Sequence, residues 1–303
     1  MSVTEQEAAP GRCGFVAIVG RPNVGKSTLL NALVGEKLSI VTDKPHTTRQ
    51  RVLGVLNRGD DQAVFIDTPG HARRTKRALH RLMARQIHQA LEDCDVALLV
   101  VEAGKLTSQD RTLIEIVEDK LDRTFLVLNK IDALASKTEA LPMLEKLAQK
   151  PFAALVPVAA RTGENLDRLV AAIVEHLPVG PKQFPDGMIT DRDLAFRIAE
   201  TLREKLMTLL HQEVPYGLTV EVEHLGRTEQ GQRLVHAVIW LERESHKAIV
   251  IGKAGGVLKQ AGTLARQELN SLLGERVHLE LWAKVREHWA DNERELQRLG
   301  FEV

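Results

Sequence analysis

A glycine-rich loop near the start of the chain constrains the fold most strongly. Residues 20–27 read GRPNVGKS and match the GxxxxGK(S/T) pattern of a phosphate-binding loop. The loop follows the apolar run Phe15–Val19 and precedes a helical pattern that starts near Lys26. In this order, backbone N–H groups and the N-terminus of the helix surround phosphate oxygens. The sequence therefore predicts an α/β domain that binds a phosphorylated ligand.

Two side chains of this loop are expected to act on the ligand directly. Lys26 would reach the β and γ phosphates, and Ser27 would ligate Mg²⁺. The remaining loop residues predicted to bind nucleotide are Gly20, Asn23, Val24, Gly25 and Thr28. An ordinary glycine-rich turn is the alternative, and the strand–loop–helix context argues against it.

A second motif, Asp67-Thr-Pro-Gly70, follows the apolar run Ala63–Ile66. A carboxylate at the end of a strand beside a phosphate loop is placed to serve Mg²⁺, so Asp67 is predicted to be a metal residue. Gly70 has no side chain to obstruct the approach of a γ-phosphate to its N–H. A plain turn is the alternative, and the order of the motifs favours a nucleotide site.

A third motif, Asn129-Lys130-Ile-Asp132, ends the apolar run Phe125–Leu128. The Asp132 carboxylate can accept hydrogen bonds from N1–H and N2–H₂ of guanine. Adenine has neither donor and would leave that charge unpaired, which is costly. The motif therefore favours a guanine nucleotide and argues against a P-loop kinase or ATPase. Asn129 and Lys130 are expected to brace the base and the phosphate loop.

A threonine pair lies between the first two motifs, in the polar stretch 44–51. A threonine here can complete the Mg²⁺ shell only while a γ-phosphate is present, which is how such loops act as switches. Thr48 is the predicted ligand, with Thr47 as the alternative. A solvated polar loop is the other interpretation.

Hydrophobic patterning divides the chain in two. The first part alternates strands with helices, which predicts a mostly parallel sheet. The strands are expected at Phe15–Val19, Arg51–Asn57, Ala63–Ile66, Val96–Val101, Phe125–Leu128 and Ala154–Val158, and the helices near 26–34, 75–91, 108–118, 138–149 and 166–176. Residues 177–187 then carry three prolines and two glycines, as linkers do. The predicted organisation is a mobile tail (1–13), a first domain (14–178), a linker (179–189) and a second domain (190–303).

The second domain has a different pattern. It is predicted to contain helix 191–210, strands 216–224 and 233–242, a helix, a glycine-rich turn, helix 256–273, strand 276–284 and helix 289–299. This order of elements predicts an α+β domain.

Composition excludes some classes. Lys plus Arg and Asp plus Glu both total 41, so this is not a generally basic nucleic-acid binder. The two cysteines have neither metal-ligand nor disulfide spacing. The N-terminus lacks the pattern of a signal peptide, and the run Val96–Val101 is too short to span a bilayer. A cytoplasmic location is the expectation.

The motifs together resemble one family. GRPNVGKST, the threonine pair before Arg49, DTPG and NKID are similar to the Era family of bacterial GTPases, within the Ras-like class. Residues 250–256, VIGKAGG, resemble the VIGxxG turn of a KH domain, and the stretch from His278 to Asp291 resembles the C-terminal signature of the family. The resemblance implies a Ras-like P-loop GTPase domain with a mostly parallel sheet, followed by an α+β KH domain of type II.

The resemblance also implies a function. A member of this family hydrolyses GTP to GDP with Mg²⁺, binds the 3′ end of small-subunit ribosomal RNA and assists assembly of the small ribosomal subunit. Lys26, Thr48 and Gly70 would be catalytic residues. A monomer and peripheral contact with the inner membrane are further expectations from the family. The alternative is a GTPase whose C-terminal domain binds a protein and no RNA.

Three positions bear on the family pattern. Ala159-Ala160 replaces the usual Ser-Ala, and the Ala160 N–H is still expected to reach guanine O6. His71 stands where the family usually has an apolar residue, and it either positions the attacking water or is idle. Asn23 either supports K⁺ beside the phosphates, as in related GTPases, or only stabilises its loop.

The predicted RNA site lies around the glycine-rich turn of the second domain. A KH domain holds about four nucleotides at its GxxG turn, here Gly252 to Gly255. Residues 190–303 hold 16 basic and 18 acidic residues, so the domain is net −2. The predicted RNA residues, which include an acid-free basic strip, are Lys247, Ile251, Gly252, Lys253, Ala254, Gly255, Lys259 and Arg266. This pattern favours a short single strand, and an ordinary helix–turn–helix is the alternative.

A second basic stretch spans residues 71–91. It carries six cations and no acid: Arg73, Arg74, Lys76, Arg77, Arg81 and Arg85. A solvated helix face and a surface that meets ribosomal RNA are both open interpretations.

Overall fold

The computed structural model describes residues 11–71, 77–212 and 214–302. The described residues belong to two compact units. The first unit holds those up to Lys37 and those of Arg51–His71 and Ile87–Asp191. The second unit holds those of Leu38–Gln50, Ala72–Gln86 and Arg192–Val303. The segment 38–50, which contains the threonine pair, and the described part of the segment 72–86, which follows the DTPG motif, are therefore grouped with the C-terminal half.

The first unit is built on a six-stranded sheet in the order β2-β3-β1-β4-β5-β6. Only β2 and β3 run antiparallel, and the other neighbours are parallel. The strands are β1 (Cys13–Val19), β2 (Val52–Arg58), β3 (Asp61–Asp67), β4 (Val96–Glu102), β5 (Thr124–Asn129) and β6 (Ala154–Pro157). The central strands are apolar and buried along almost their whole length, as expected for parallel strands covered on both faces. The predicted mostly parallel α/β fold is confirmed.

Helices follow the strands at the predicted places, with differences at their ends. They are α1 (Lys26–Val34), α2 (Ala78–Asp93), α3 (Ser108–Ile116), α4 (Leu141–Leu147) and α5 (Leu166–His176). Helix α4 is shorter than the predicted 138–149, because a 3₁₀ turn occupies Lys137–Ala140 and Pro142 lies in the first turn of the helix. The predicted start of the second helix near residue 75 lies outside the described residues.

Three residues of the predicted tail, 11–13, lie among the described residues. Residues 1–10 lie outside the described residues, but Gly11 to Cys13 are part of the first unit. Cys13 begins β1, and its N–H donates to Pro178 O at 3.0 Å. Arg12 forms an antiparallel bridge with Val179. These contacts fix residues 11–13 to the start of the predicted linker.

The predicted linker is held against the first unit. Gln62 is fully buried, and its side chain accepts from Phe184 N at 3.0 Å and donates to Phe184 O at 2.8 Å. Further along, Val55 N donates to Ile189 O at 2.9 Å. Proline prevents this segment from forming a helix, but its remaining backbone groups still pair with the sheet.

The second unit contains a three-stranded sheet in the order β7-β8-β9, antiparallel between β7 and β8 and parallel between β8 and β9. Its elements are α6 (Leu194–Leu209), β7 (Leu218–Arg227), β8 (Arg233–Leu241), α7 (Glu244–Ile251), α8 (Gly256–Leu273), β9 (Val277–Val285) and α9 (Glu293–Arg298). The order α–β–β–α–α–β is that of a type II KH domain. The last predicted helix, 289–299, is instead a 3₁₀ turn at Trp289–Asp291 followed by α9.

Helical spacing explains the core of this unit. In α8, Ala261, Ala265 and Leu269 recur every four residues and are fully buried. In α6, Ile198 and Leu202 recur in the same way and join the same core. The small alanines let the two helices approach each other closely over the sheet.

The first half of α2 packs against the C-terminal end of the chain. Leu79, Leu82 and Met83 form a cluster with Trp289, Leu296 and Phe301. Trp289 is fully buried, and its Nε1–H donates to Gly217 O at 3.3 Å. Of the two tryptophans in the C-terminal signature, Trp289 is therefore a core residue, whereas Trp282 is 41% exposed.

Candidate functional site

The phosphate loop connects β1 to α1 through a left-handed turn. Gly25 precedes the first residue of α1 and has φ 96°. A Cβ at this position would lie 2.4 Å from Nδ2 of Asn129. Both the backbone conformation and the close approach of Asn129 therefore require glycine here.

Lys26 is a buried cation at the start of α1. Its ammonium donates to the carbonyl oxygens of Gly20 and Arg21, both at 3.1 Å. Burial lowers the pKa of Lys26 to about 8, the carboxylate of Asp67 opposes that shift, and Arg21 adds to it. An anion placed against this ammonium would stabilise its charged form, which is the electrostatic requirement of a phosphate site.

Ser27 and Asp67 form a hydrogen-bonded pair of oxygen ligands. Ser27 Oγ lies 2.7 Å from Asp67 Oδ2, and Asp67 is fully buried at the end of β3. The described residues hold no cluster of three or more His, Cys, Asp or Glu side chains suited to a metal. Mg²⁺ is usually held by one or two protein oxygens together with phosphate oxygens and water. The Ser27–Asp67 pair fits that ion.

Asn129 joins three loops through one side chain. It is 2 % exposed, and its Nδ2–H donates to Val24 O of the phosphate loop at 2.8 Å. Its Oδ1 accepts from Lys130 N at 2.8 Å and from Ala160 N at 3.0 Å. From the sequence, the N–H of Ala160 is predicted to bind guanine O6. In this structure the same N–H donates to Oδ1 of Asn129. Ala159, fully buried, is part of the same loop.

A charged network that sequence patterns did not reveal supports the phosphate loop. Lys130 has φ 67°, and its Nζ donates to Asn23 O at 2.7 Å. Arg21 bonds Glu102 at 2.8 Å and Asp110 at 3.2 Å. Burial alone would raise the pKa of Glu102, but the bond from Arg21 and the charge of Lys130 lower it below its usual value. The loop conformation is thus fixed by ion pairs as well as by glycine.

Asp132 has a partner that the sequence did not indicate. Its Oδ2 accepts from Arg161 Nε at 3.1 Å and from Nη2 at 2.7 Å. The Asp132 side chain is 14 % exposed and that of Arg161 is 77 % exposed. An exposed ion pair contributes at most about 1 kcal/mol. For Asp132 to accept from guanine, its Oδ2 would have to be shared with Arg161 or released by it.

The DTPG segment lies beside the phosphate loop. A Cβ on Gly70 would lie 2.9 Å from Cα of Pro22, and His71 N donates to Gly20 O at 3.2 Å. His71 is half-buried, and its pKa is lowered by burial first and then by the charges of His88 and Lys26. Its imidazole is therefore neutral at pH 7.

The GxxG turn has the backbone that its glycines allow. Gly252 has φ 74°, and a Cβ there would lie 2.6 Å from Cγ2 of Val257. Gly255 and Ala254 also have positive φ. The turn leads into the N-terminus of α8, which has no side-chain cap. Backbone N–H groups in this position can bind a phosphate.

The predicted RNA side chains lie on or beside this turn. Lys253 and Ala254 are exposed at the turn itself, and Lys259 and Arg266 are exposed along α8. Ile251 is half-buried, and Lys247 pairs with Glu244 at 3.4 Å, just outside the acid-free stretch. The structure brings the strip together on neighbouring elements, with one of its cations partly neutralised.

Two family models match the chain. Residues 15–130 match the family described as 50S ribosome-binding GTPase, and residues 213–290 match the KH domain. The GTPase Era proteins of Yersinia pestis and Yersinia pseudotuberculosis are 43% identical over 290 residues, which is 95% of this chain and 96% of theirs. This chain belongs to the Era family of GTPases.

Solved structures of Era have the same fold. Aquifex aeolicus Era bound to GDP·AlF4⁻ matches with TM-score 0.92 and 38% identity, over 96% of this chain and all of that one. Era in complex with MgGDPNP and nucleotides 1506–1542 of 16S ribosomal RNA matches with TM-score 0.93 and 38% identity, over 97% of this chain and all of that one. The similarity therefore includes both predicted domains.

The Era family threonines lie in the second unit of this chain. Thr47 Oγ1 lies 2.6 Å from Thr42 Oγ1 and donates to Lys44 O at 2.7 Å. Thr48 belongs to the same segment, so the structure does not group it with Ser27 and Asp67. The Mg²⁺ role of Thr48 stays a prediction.

The described arginines of the basic stretch that follows DTPG are paired with acids. Arg77 lies 3.2 Å from Glu242, and Arg81 and Arg85 lie 3.6 Å and 3.3 Å from Glu293. Arg73, Arg74 and Lys76 lie outside the described residues. The three described arginines thus serve contacts within the second unit, which neither interpretation of the sequence included.

His71, which departs from the Era family pattern, allows a pH test. If its neutral imidazole positions the attacking water, the single-turnover rate with prebound GTP should be constant near pH 7 and fall only below the ordinary pKa of histidine, because the pKa of His71 is lowered and its ring gains a proton there. His71→Gln should be slower by about tenfold or more and should lose this fall. Lys26, with a pKa of about 8, stays protonated below pH 7, so it does not cause this fall.

His88→Gln is the matched control. Removing a nearby like charge raises the pKa of His71, so the fall should move to higher pH while the plateau rate is kept. An unchanged rate and pH profile in His71→Gln would show that His71 is idle.

Proposed function

We propose that this chain is a GTP-hydrolysing switch that binds the 3′ region of small-subunit ribosomal RNA and assists assembly of the small ribosomal subunit. The observation that carries the proposal is the joining of the phosphate loop, the NKID motif and the Ala159-Ala160 loop by Asn129. This arrangement fits a guanine nucleotide, and the matched Era structures contain GDP·AlF4⁻ or MgGDPNP.

The predicted residues of the GTPase site each have a proposed role in hydrolysis. Lys26 stabilises the negative charge on the β and γ phosphates, as preorganised cations do in phosphoryl transfer. Ser27 and Asp67 would hold Mg²⁺, which would supply positive charge beside the phosphates. Gly70 donates its N–H to the γ-phosphate, and Thr48 completes the metal shell while that phosphate is present. His71 orients water.

The second unit supplies RNA binding in this proposal. The KH match and the exposed GxxG turn support it, as does the full-length similarity to Era bound to 16S RNA. The family description that names the 50S subunit covers only residues 15–130. A match over 97% of the chain outweighs one confined to the first unit, so the small subunit is the proposed partner. A protein partner without RNA is the alternative.

The proposed location is the cytoplasm, where ribosomes assemble. Within the described residues, no helix combines the length and apolar character needed to cross a membrane. Peripheral membrane contact, a monomeric state and K⁺ stimulation through Asn23 stay predictions from the family resemblance.

Guanine selection is tested by Asp132→Asn. The amide can donate to the N2-position carbonyl of xanthine, which replaces the amino group of guanine. Affinity should therefore move from GTP toward xanthosine triphosphate by about a hundredfold in ratio, measured by competition with a fluorescent nucleotide. A variant that still prefers GTP would mean that Asp132 does not recognise the base.

RNA binding is tested by changing both Lys253 and Ala254 to Asp. Two carboxylates against the RNA backbone should remove most of the affinity for a 16S 3′-end oligonucleotide, measured by fluorescence anisotropy at fixed salt. Basal GTP hydrolysis should persist, because neither substituted residue belongs to the proposed GTPase site.

The control changes Gln297 and Arg298 to Asp. These exposed residues of α9 undergo the same change in charge within the same unit. If both double variants lose the same RNA affinity, the effect is general charge repulsion and not a specific site. If the Lys253 and Ala254 variant binds RNA as the wild type does, the RNA site is not at the GxxG turn.

A further inference from the structure

A cavity of about 450 Å³ lies within the second unit, apart from the GxxG turn. Its wall includes three arginines and three histidines: Arg49, Arg77, Arg243, His46, His80 and His246. These residues come from the threonine segment, from α2 and from the start of α7. None of them belongs to the nucleotide site or to the predicted RNA strip.

The cavity has more positive than negative charge. Among the described residues, Glu242 is the one acid in its wall, and it pairs with Arg77 at 3.2 Å. Arg49 is buried and donates to the carbonyl oxygens of Leu218 at 2.6 Å and Pro215 at 3.0 Å. Burial lowers the pKa of Arg49 to about 9, and the charge of Arg203 adds to the shift. Such a shift indicates that negative charge near Arg49 does not offset its burial.

The start of α7 adds donors to the same wall. Arg243 is the N-cap residue of α7, is exposed, and provides no side-chain cap. His246 lies in the first turn, and its Nδ1 is buried with no hydrogen-bond partner among the described residues. Arg243 and the imidazole of His246 therefore lie at the positive end of a helix, where an anion is stabilised.

We propose that this cavity binds a small organic phosphate. The phosphate lies at the N-terminus of α7, where it accepts from Arg243, His246 and Arg77. The rest of the cavity, walled by Leu79, Met83 and Tyr216, leaves room for a small organic group. Its volume is within the range of small-molecule sites, about 300–1,000 Å³.

A bound phosphate would tie the threonine segment to the KH domain. That segment already bonds the KH domain through Arg49 and through Lys44, whose Nζ donates to the carbonyls of Met207 and Leu210. Since Pro45 and His46 line the cavity, its occupant adds contacts to the segment that contains Thr48. A bound ligand would therefore influence GTP hydrolysis. This consequence rests on the proposed function, whereas the ligand site itself does not.

The test is a titration followed by NMR of the assigned histidine rings, on full-length protein saturated with GDP and Mg²⁺. The probes are inorganic phosphate, ribose 5-phosphate and a 5′-phosphorylated RNA trinucleotide. The His246 and His80 signals should shift saturably with at least one organic probe, while His71 stays unmoved. Binding of ribose 5-phosphate would indicate that the natural ligand is a free metabolite. Binding of the trinucleotide alone would indicate that it is the phosphorylated end of an RNA.

Variants locate the site. Arg243→Ala and His246→Gln should each weaken binding by about tenfold, the loss expected for one charge-assisted hydrogen bond. The exposed Arg298→Ala should bind as the wild type does. Absence of a saturable histidine shift, full affinity in both cavity variants, or loss in Arg298→Ala would overturn the proposal. The histidine signals also work in nucleotide-free protein, so a failure of GDP binding would not be mistaken for a failure of this site.

Discussion

The buried side chain of Asn129 is the contact on which the first unit depends. Its donor holds the phosphate loop through Val24 O, and its acceptor holds the backbone N–H groups of Lys130 and Ala160. No aliphatic side chain offers a donor and an acceptor at this spacing. This side chain thereby holds three loops together without any bound ligand. Val24 and Asn129 are more than 100 residues apart in the sequence.

Fixed charges surround this contact and determine what the site can bind. The Lys26 ammonium is buried with two carbonyl oxygens, and the nearby carboxylate of Asp67 already bonds Ser27. Cationic donors held in place act more strongly on phosphates than mobile ones, because they need no rearrangement. The ion pairs of Arg21 with Glu102 and Asp110 keep the loop in this form. The site is therefore suited to a polyphosphate with a metal ion.

Local patterns predicted much of the fold. Every predicted strand of the first unit lies within two residues of an observed strand, because apolar runs and the motifs that end them are local signals. The ends of α4 and α9 were missed where 3₁₀ turns replace helix. The pairing of the predicted linker with the first unit was missed for a different reason, since it depends on Gln62, more than 100 residues away.

Long-range contacts also explain what the sequence left out of the site. Nothing local to Arg161 indicates that it pairs with Asp132, and nothing local to the segment 38–50 indicates that it packs with the KH domain. The motifs were predictable because each has its own spacing. Their partners were not, because tertiary packing alone brings them together.

The central claim is tested most directly by the nucleotide affinity of Asn129→Asp. The carboxylate keeps the acceptor for Lys130 and Ala160 but places an oxygen against Val24 O. The account predicts a loss of about a hundredfold in GDP affinity, with unchanged circular dichroism. Asn165→Asp is the matched control, since exposed Asn165 also donates to a carbonyl, that of Pro157 at 2.8 Å, and it should bind GDP normally. An affinity of Asn129→Asp within about threefold of the wild type would contradict the account.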